Sequence, residues 1–204
     1  MDVLGSNMYY WRRLSPEDRE HILSLRKSQG RPWHSPPHGT GGGRYMVTVA
    51  CYEHAPIIGS TPTRLANFEE VLLTVLNQTA TTVSAWAVLP NHYHGLVITE
   101  NISALLYELR LLHGRTAFAW NGEDGRRGRK VWSGVLETAM KSDRHFWASM
   151  NYIHNNPVKH GYVKKWGEWP FSSALRYIEA VGREEAERVW REYDVSEMGD
   201  GWDL

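Results

Sequence analysis

The chain reads as an α+β fold built on a ferredoxin-like split βαβ core, an antiparallel sheet with helices on one face, and three observations predict it. Apolar residues recur with the periods of strand, helix, strand, strand, helix and strand, in that order. A Pro-Asn pair joins the two consecutive strands in the middle, where a tight turn belongs. The 204 residues suffice for one good core and are short for two. Around this core the pattern adds a C-terminal helix bearing Tyr152 and an N-terminal helical extension.

The elements follow in order. Ser15-Pro16-Glu17-Asp18 has an N-cap residue, Pro at the first helical position and acids in the first turn, so a helix is expected from Pro16 to Ser28. The Pro/Gly-rich stretch from Arg31 to Gly43 is a linker. Arg44 to Tyr52 alternates and is rich in β-branched and aromatic residues, the first strand. Leu65, Phe68, Leu72 and Leu76 mark a helix from Thr63 to Thr79, and Thr82 to Leu89 and Tyr93 to Thr99 are the paired strands. Asn101 opens a helix to about Ala119, a polar loop spans Asn121 to Lys130, and Val131 to Met140 is the fourth strand. Ser142-Asp143 caps a helix to about Asn155, and helical segments start near Ser172 and Glu184. The organisation expected is 1–43 as extension and linker, 44–182 as the main domain, and 183–204 as a helical tail.

Equal numbers of acidic and basic residues, 23 each, exclude a uniformly basic surface, so a nucleic-acid site must be a local patch. The single cysteine, Cys51, excludes an internal disulfide and a zinc ribbon and fits a reducing compartment. With no apolar leader and no membrane-length apolar run, a cytoplasmic protein without a membrane partner is expected.

Two stretches carry chemistry. In Leu89-Pro90-Asn91-His92-Tyr93-His94-Gly95, His92 and His94 leave the same face of a strand, about 6 to 7 Å apart by the strand rise, and can converge on one metal ion. Alone, the pair reads equally as half-exposed strand residues. In Asn151-Tyr152-Ile153-His154-Asn155-Asn156-Pro157, Tyr152 and Asn156 are i and i+4 if the helix persists to Pro157, presenting a phenol and an amide together. Alone, that stretch reads as a core aromatic and a helix stop.

Taken together, LPNHYHGLV, YIHNNPVKHGYV and WPFSS, in this order and spacing, resemble the HUH single-tyrosine transposases, specifically the REP-associated tyrosine transposases. The resemblance covers Arg44 to Tyr177. It implies a nuclease that cuts and rejoins single-stranded DNA at hairpin-forming repeats, with His92, His94 and Asn156 holding a divalent ion, Mg²⁺ or Mn²⁺, and Tyr152 as nucleophile. The ion would neutralise the phosphodiester's non-bridging oxygens, and the link formed would be to the 5′ phosphate, leaving a free 3′ hydroxyl. Two imidazoles suit Mn²⁺, Zn²⁺, Co²⁺ or Ni²⁺ better than Mg²⁺.

Several further residues are candidate DNA contacts: Arg44; Arg126, Arg127, Arg129 and Lys130 in the polar loop; and Lys159, His160, Lys164 and Lys165 after the tyrosine helix. Trp33 and Trp169 are candidate stacking platforms, and Trp169 suits anchoring of the WPFSS segment in the core better. Trp33 and His34 lie in the segment before the first strand, which in the family helps read unpaired nucleotides beside the hairpin. The expected partner is single-stranded DNA with a hairpin, bound by a monomer that joins the nucleoid when on DNA. A non-cleaving hairpin-binding protein is the alternative; a zinc hydrolase lacks a third strong ligand and an acidic base.

Overall fold

A computed structural model of the chain describes residues 42–195, together with residues 15–18, 20, 21 and 24. The chain forms two compact units, one spanning Gly39–Met198 and one made of Met1–His38 with Gly199–Leu204. In the latter, Ser15 Oγ accepts from Asp18 N at 3.1 Å, which caps a helical turn over 16–18 where the sequence predicts a helix start. The rest of that extension, including Trp33 and His34, lies outside the described residues.

The main unit runs β1 (Gly43–Ala50), α1 (Pro62–Thr79), β2 (Thr82–Val88), β3 (His92–Thr99), α2 (Ile102–Glu123), β4 (Leu136–Ala139), α3 (Asp143–Lys159), α4 (Ala174–Val181) and α5 (Arg183–Glu192). Short polar side chains start the long helices, Asn101 and Ser142 as the sequence predicts and Thr61 in addition. Thr61, Asn101 and Ser142 each accept from the backbone N–H three residues on, at 3.0 to 3.1 Å. The sheet is antiparallel with strand order β2-β3-β1-β4, the split βαβ arrangement.

Strand alternation divides the core in two. Tyr45, Val47, Val49, Tyr93 and Val97 face Phe68, Leu72 and Leu76 of α1 and Leu105 and Leu109 of α2. Met46, Ala85, Ala87 and Leu96 face Phe146, Met150, Tyr152 and Ile153 of α3. The two core helices thus share one face, and the tyrosine helix lies on the other.

Three boundaries differ from expectation, each for a local reason. β4 is confined to Leu136–Ala139, the residues that pair with β1, while upstream Trp132 makes only an isolated bridge to Cys51 and Val131 and Trp132 are buried, 2% and 7% exposed. Helix α2 continues to Glu123 because its buried stripe does, through Trp120 and Asn121. Helix α3 passes through Pro157 to Lys159. Proline there removes only the donor to the Ile153 carbonyl, and the last carbonyls find partners in a Schellman turn. In that turn Gly161 N donates to Val158 O at 2.9 Å and Tyr162 N to Pro157 O at 3.0 Å, with Gly161 at φ +73°.

β2 is an edge strand, and its outer side is covered. Val88 N donates to Phe171 O at 2.8 Å, Ser173 N to Trp86 O at 3.0 Å, and Trp169 Nε1 to Val88 O at 2.9 Å. The WPFSS segment therefore serves as an edge cover, and Trp169 is its anchor. Among the described residues no helix is long and apolar enough to cross a membrane.

Candidate functional site

The register places His92 opposite Ala50 and His94 opposite Thr48, with both imidazoles on the face that meets α3. Their ring centroids are 5.0 Å apart. From α3, Asn156 Oδ1 lies 2.9 Å from His92 Nε2, and the Tyr152 ring is 5.3 Å from that of His94, centroid to centroid. The two histidines, the phenol and the amide form one buried cluster, each 2% exposed or less.

Each imidazole is oriented through its Nδ1. His92 Nδ1 lies 2.7 Å from Asn91 Oδ1, and Asn91 Nδ2 donates to His54 O at 3.3 Å, which fixes that amide with its oxygen toward the ring. His92 therefore donates from Nδ1, and its Nε2 presents a lone pair. Thr48 Oγ1 and His94 Nδ1 share a hydrogen bond of 2.9 Å. With both Nδ1 atoms engaged by side-chain oxygens, the two Nε2 atoms are the ring nitrogens that could take a metal ion, and such oxygen support is usual around metal-bound histidine.

The donor set fits a small divalent ion. His92 Nε2 and Asn156 Oδ1 lie 2.9 Å apart. Two ligands about 2.1 Å from an ion at a near right angle sit about 3 Å apart. Asn156 Nδ2 is buried with no hydrogen-bond partner. Among the described residues no three His, Cys, Asp or Glu side chains gather as a metal cluster; the side-chain oxygen beside the imidazole pair is that of the Asn156 amide.

His154, two residues after Tyr152, is fully buried on another side of α3, and Ser173 Oγ lies 2.9 Å from its Nε2. Burial holds its pKa down at about 3, so it stays neutral and acts in packing.

The remaining predicted residues divide into two groups. Lys159 and His160 sit beside the cluster, with Lys159 Nζ 5.3 Å from the Tyr152 ring centroid and the His160 ring 4.9 Å from that of His92. Lys164 and Lys165 are exposed just beyond, their backbone amides donating to Glu168. The others lie elsewhere. Arg44 pairs with Asp143 at 2.6 Å and sits four residues along β1 from Thr48, roughly 13 Å by the strand rise. Arg129 pairs with Asp124 at 2.6 Å, Arg127 stacks on Phe118, Lys130 lies over Tyr52, and Arg126 is exposed in the same loop. Asn91, Thr48 and Ser173 are the residues sequence reasoning missed. Asn91 had a signal in its place beside His92, whereas Thr48 depends on strand register.

A cavity of about 420 Å³ between α1 and α2, lined by Arg64, Phe68, Trp120 and Glu123 among others, lies on the opposite face of the sheet. It holds none of the candidate residues, and Arg64 is already paired with Glu123 at 2.8 Å and Asp124 at 2.6 Å.

Fold and site together define a split βαβ domain with an imidazole pair on a central strand, facing a tyrosine and an amide one turn apart on a helix. Its homologues are REP-associated tyrosine transposases, as the motifs predict. The chain is 27% identical over 161 residues to one from Haemophilus influenzae, spanning 69% of this chain and 85% of that relative. It is 29% identical over 98 residues to the REP-associated tyrosine transposase of Escherichia coli, spanning 47% of this chain and 56% of that one. A solved structure of a REP-associated tyrosine transposase bound to a REP hairpin shares the fold. Its TM-score is 0.57 at 22% identity, with 74% of this chain and 87% of that chain covered. No family model matches the chain.

Proposed function

We propose that the chain is a metal-dependent, site-specific endonuclease and strand transferase for hairpin-forming single-stranded DNA, acting through Tyr152. The observation that carries this reading is the meeting of the His92/His94 face of β3 with the Tyr152/Asn156 face of α3, which joins two half-sites that are ambiguous apart. The homologues' shared name supports it.

The ion, held by His92, His94 and Asn156, would neutralise the phosphodiester and stabilise charge building in the transition state. The protein's own part is positional. Tyr152 Oη attacks phosphorus as the bond to the 3′ oxygen breaks; the phenolic proton is lost, and the departing 3′ oxygen takes one up. The 5′ phosphotyrosine retains the bond energy, so resealing needs no nucleotide cofactor. Tyr152 is 1% exposed, and the exposed Lys159 lies over its ring.

The test is incubation of a labelled hairpin oligonucleotide bearing unpaired flanks with Mg²⁺ or Mn²⁺. Wild type should form an adduct stable in SDS, and Tyr152→Phe none. Equal adduct in both would sink the mechanism. Tight binding without cleavage in any divalent metal would establish the non-cleaving reading instead.

A further inference from the structure

Past the tyrosine helix, an aromatic series leads away from the metal-side histidine. The rings of His92 and His160 are 4.9 Å apart, those of His160 and Tyr162 6.5 Å, and those of Tyr162 and Trp169 5.3 Å with an interplanar angle of 34°. His160 and Tyr162 are exposed, Tyr162 at 43%, while Trp169 is half-buried and committed to Val88 O. Tyr162 therefore covers Trp169 and presents the outward ring of the pair. Its place is built, since the Schellman turn ties its backbone N–H to Pro157 O at 3.0 Å in the same helix that carries Tyr152 and Asn156. Exposed Lys159, Lys164 and Lys165 lie to either side in sequence.

A large exposed ring, tied through its backbone and with lysines near it in sequence, is a combination suited to unpaired nucleotides: the face stacks on a base of any identity, and the charges follow the backbone. From this geometry we infer that Tyr162, seated on Trp169, is a stacking platform for an unpaired base of the strand entering the active site. The inference rests on the single-stranded DNA reading above and extends it to a residue the family motifs leave without a role. It also transfers to Tyr162 the stacking function that Trp169 suggests in sequence, because Trp169 is held as an anchor.

The experiment uses the full chain and hairpin oligonucleotides with 2-aminopurine at successive positions of the unpaired flank, without divalent metal. Wild type should quench the fluorophore at one or two positions, and Tyr162→Phe should retain the quenching. Tyr162→Ala should lose it and bind the flanked hairpin about tenfold more weakly, with binding of a flankless hairpin unchanged. Tyr162→Leu, which still covers Trp169 but has no π face, should behave as Tyr162→Ala. Persistent quenching in the Leu and Ala variants, or equal loss of affinity for both hairpins, would overturn the platform. Failure here is separable from failure of the cleavage reading: quenching dependent on Tyr162 without any covalent adduct refutes cleavage alone, and adduct formation without such quenching refutes the platform alone.

Discussion

Thr48→Val removes the hydroxyl that orients His94 and little else. Valine keeps the β-branch and nearly the volume of threonine, so β1 and its register with β3 should persist. What is lost is the 2.9 Å hydrogen bond to Nδ1. A bond between neutral groups contributes roughly 0.5–1.5 kcal/mol, and stranding a buried partner raises the cost toward 1–3 kcal/mol. A destabilisation of about 1–2 kcal/mol, or a melting temperature lower by several degrees at this chain length, is the expected structural effect. The effect on the metal is separate. Losing an outer-shell partner of a histidine ligand typically weakens binding about 10- to 100-fold, equivalent to about 1.4–2.8 kcal/mol. Calorimetric titration of Mn²⁺ into wild type, Thr48→Val and His94→Ala measures this directly. His94→Ala should lose the site and Thr48→Val should hold it more weakly. If Thr48→Val melts earlier yet binds Mn²⁺ within about twofold of wild type, Thr48 is a packing residue and the assignment of His94 Nε2 as ligand loses its support.

Two further perturbations test the frame around the site. Gly161→Ala forces a side chain into φ +73°, where no atom obstructs it but the backbone conformation itself costs about 1–2 kcal/mol; the melting temperature should fall by a few degrees, and no change would refute the Schellman turn. His113, on the opposite face of the sheet, is held at a pKa of about 4 by burial and shares a hydrogen bond of 2.9 Å with Tyr93 Oη. Between that value and the unfolded value near 6.5 only the unfolded chain binds the proton, so stability falls as pH drops through this window, by up to about 1.4 kcal/mol per pH unit. Urea midpoints measured across that range should slope less in His113→Gln, and equal slopes would exclude His113 as the source.

How much of this was legible in the sequence follows from the range of each interaction. Period two and period 3.6 are local, so β1, α1, the β2–β3 pair, α2 and α3 could be read directly, as could Asn101 and Ser142, which cap α2 and α3. β4 was overextended because Val131 and Trp132 look like strand residues, while their burial against α1 and α2 is a tertiary fact. The four central site residues were legible because they fall in two short motifs, one on a strand and one on a helix. The support of His94 was not, because Thr48 meets it only through a strand pairing 46 residues apart in sequence, and a slip of one residue would turn Thr48 to the other face. The engagement of Arg129 was likewise not legible. Arg129 looks available for phosphate until Asp124, which also receives Arg64 from 60 residues away, is seen to engage it; those two arginines hold the Asp124 carboxyl down at about 2.

The three motifs behave as one mechanical assembly, and Ser173 shows how. Its Oγ accepts from Trp86 N at 3.0 Å, lies 3.3 Å from Trp86 O, and lies 2.9 Å from His154 Nε2. With the proton of His154 on Nε2, that ring donates to Oγ and the hydroxyl donates to Trp86 O, so every proton has an acceptor and only the Nδ1 lone pair is left without a partner. A backbone position of β2 and a side chain of α3 are thereby referenced to a single hydroxyl. β2 is hydrogen-bonded to β3, which carries the imidazoles, and Tyr152 stands two residues before His154. The distance from phenol to histidine pair is therefore set through the WPFSS segment as well as by direct packing. Because burial keeps His154 neutral down to a pH of about 3, that reference holds throughout the range in which the histidine pair would bind a metal.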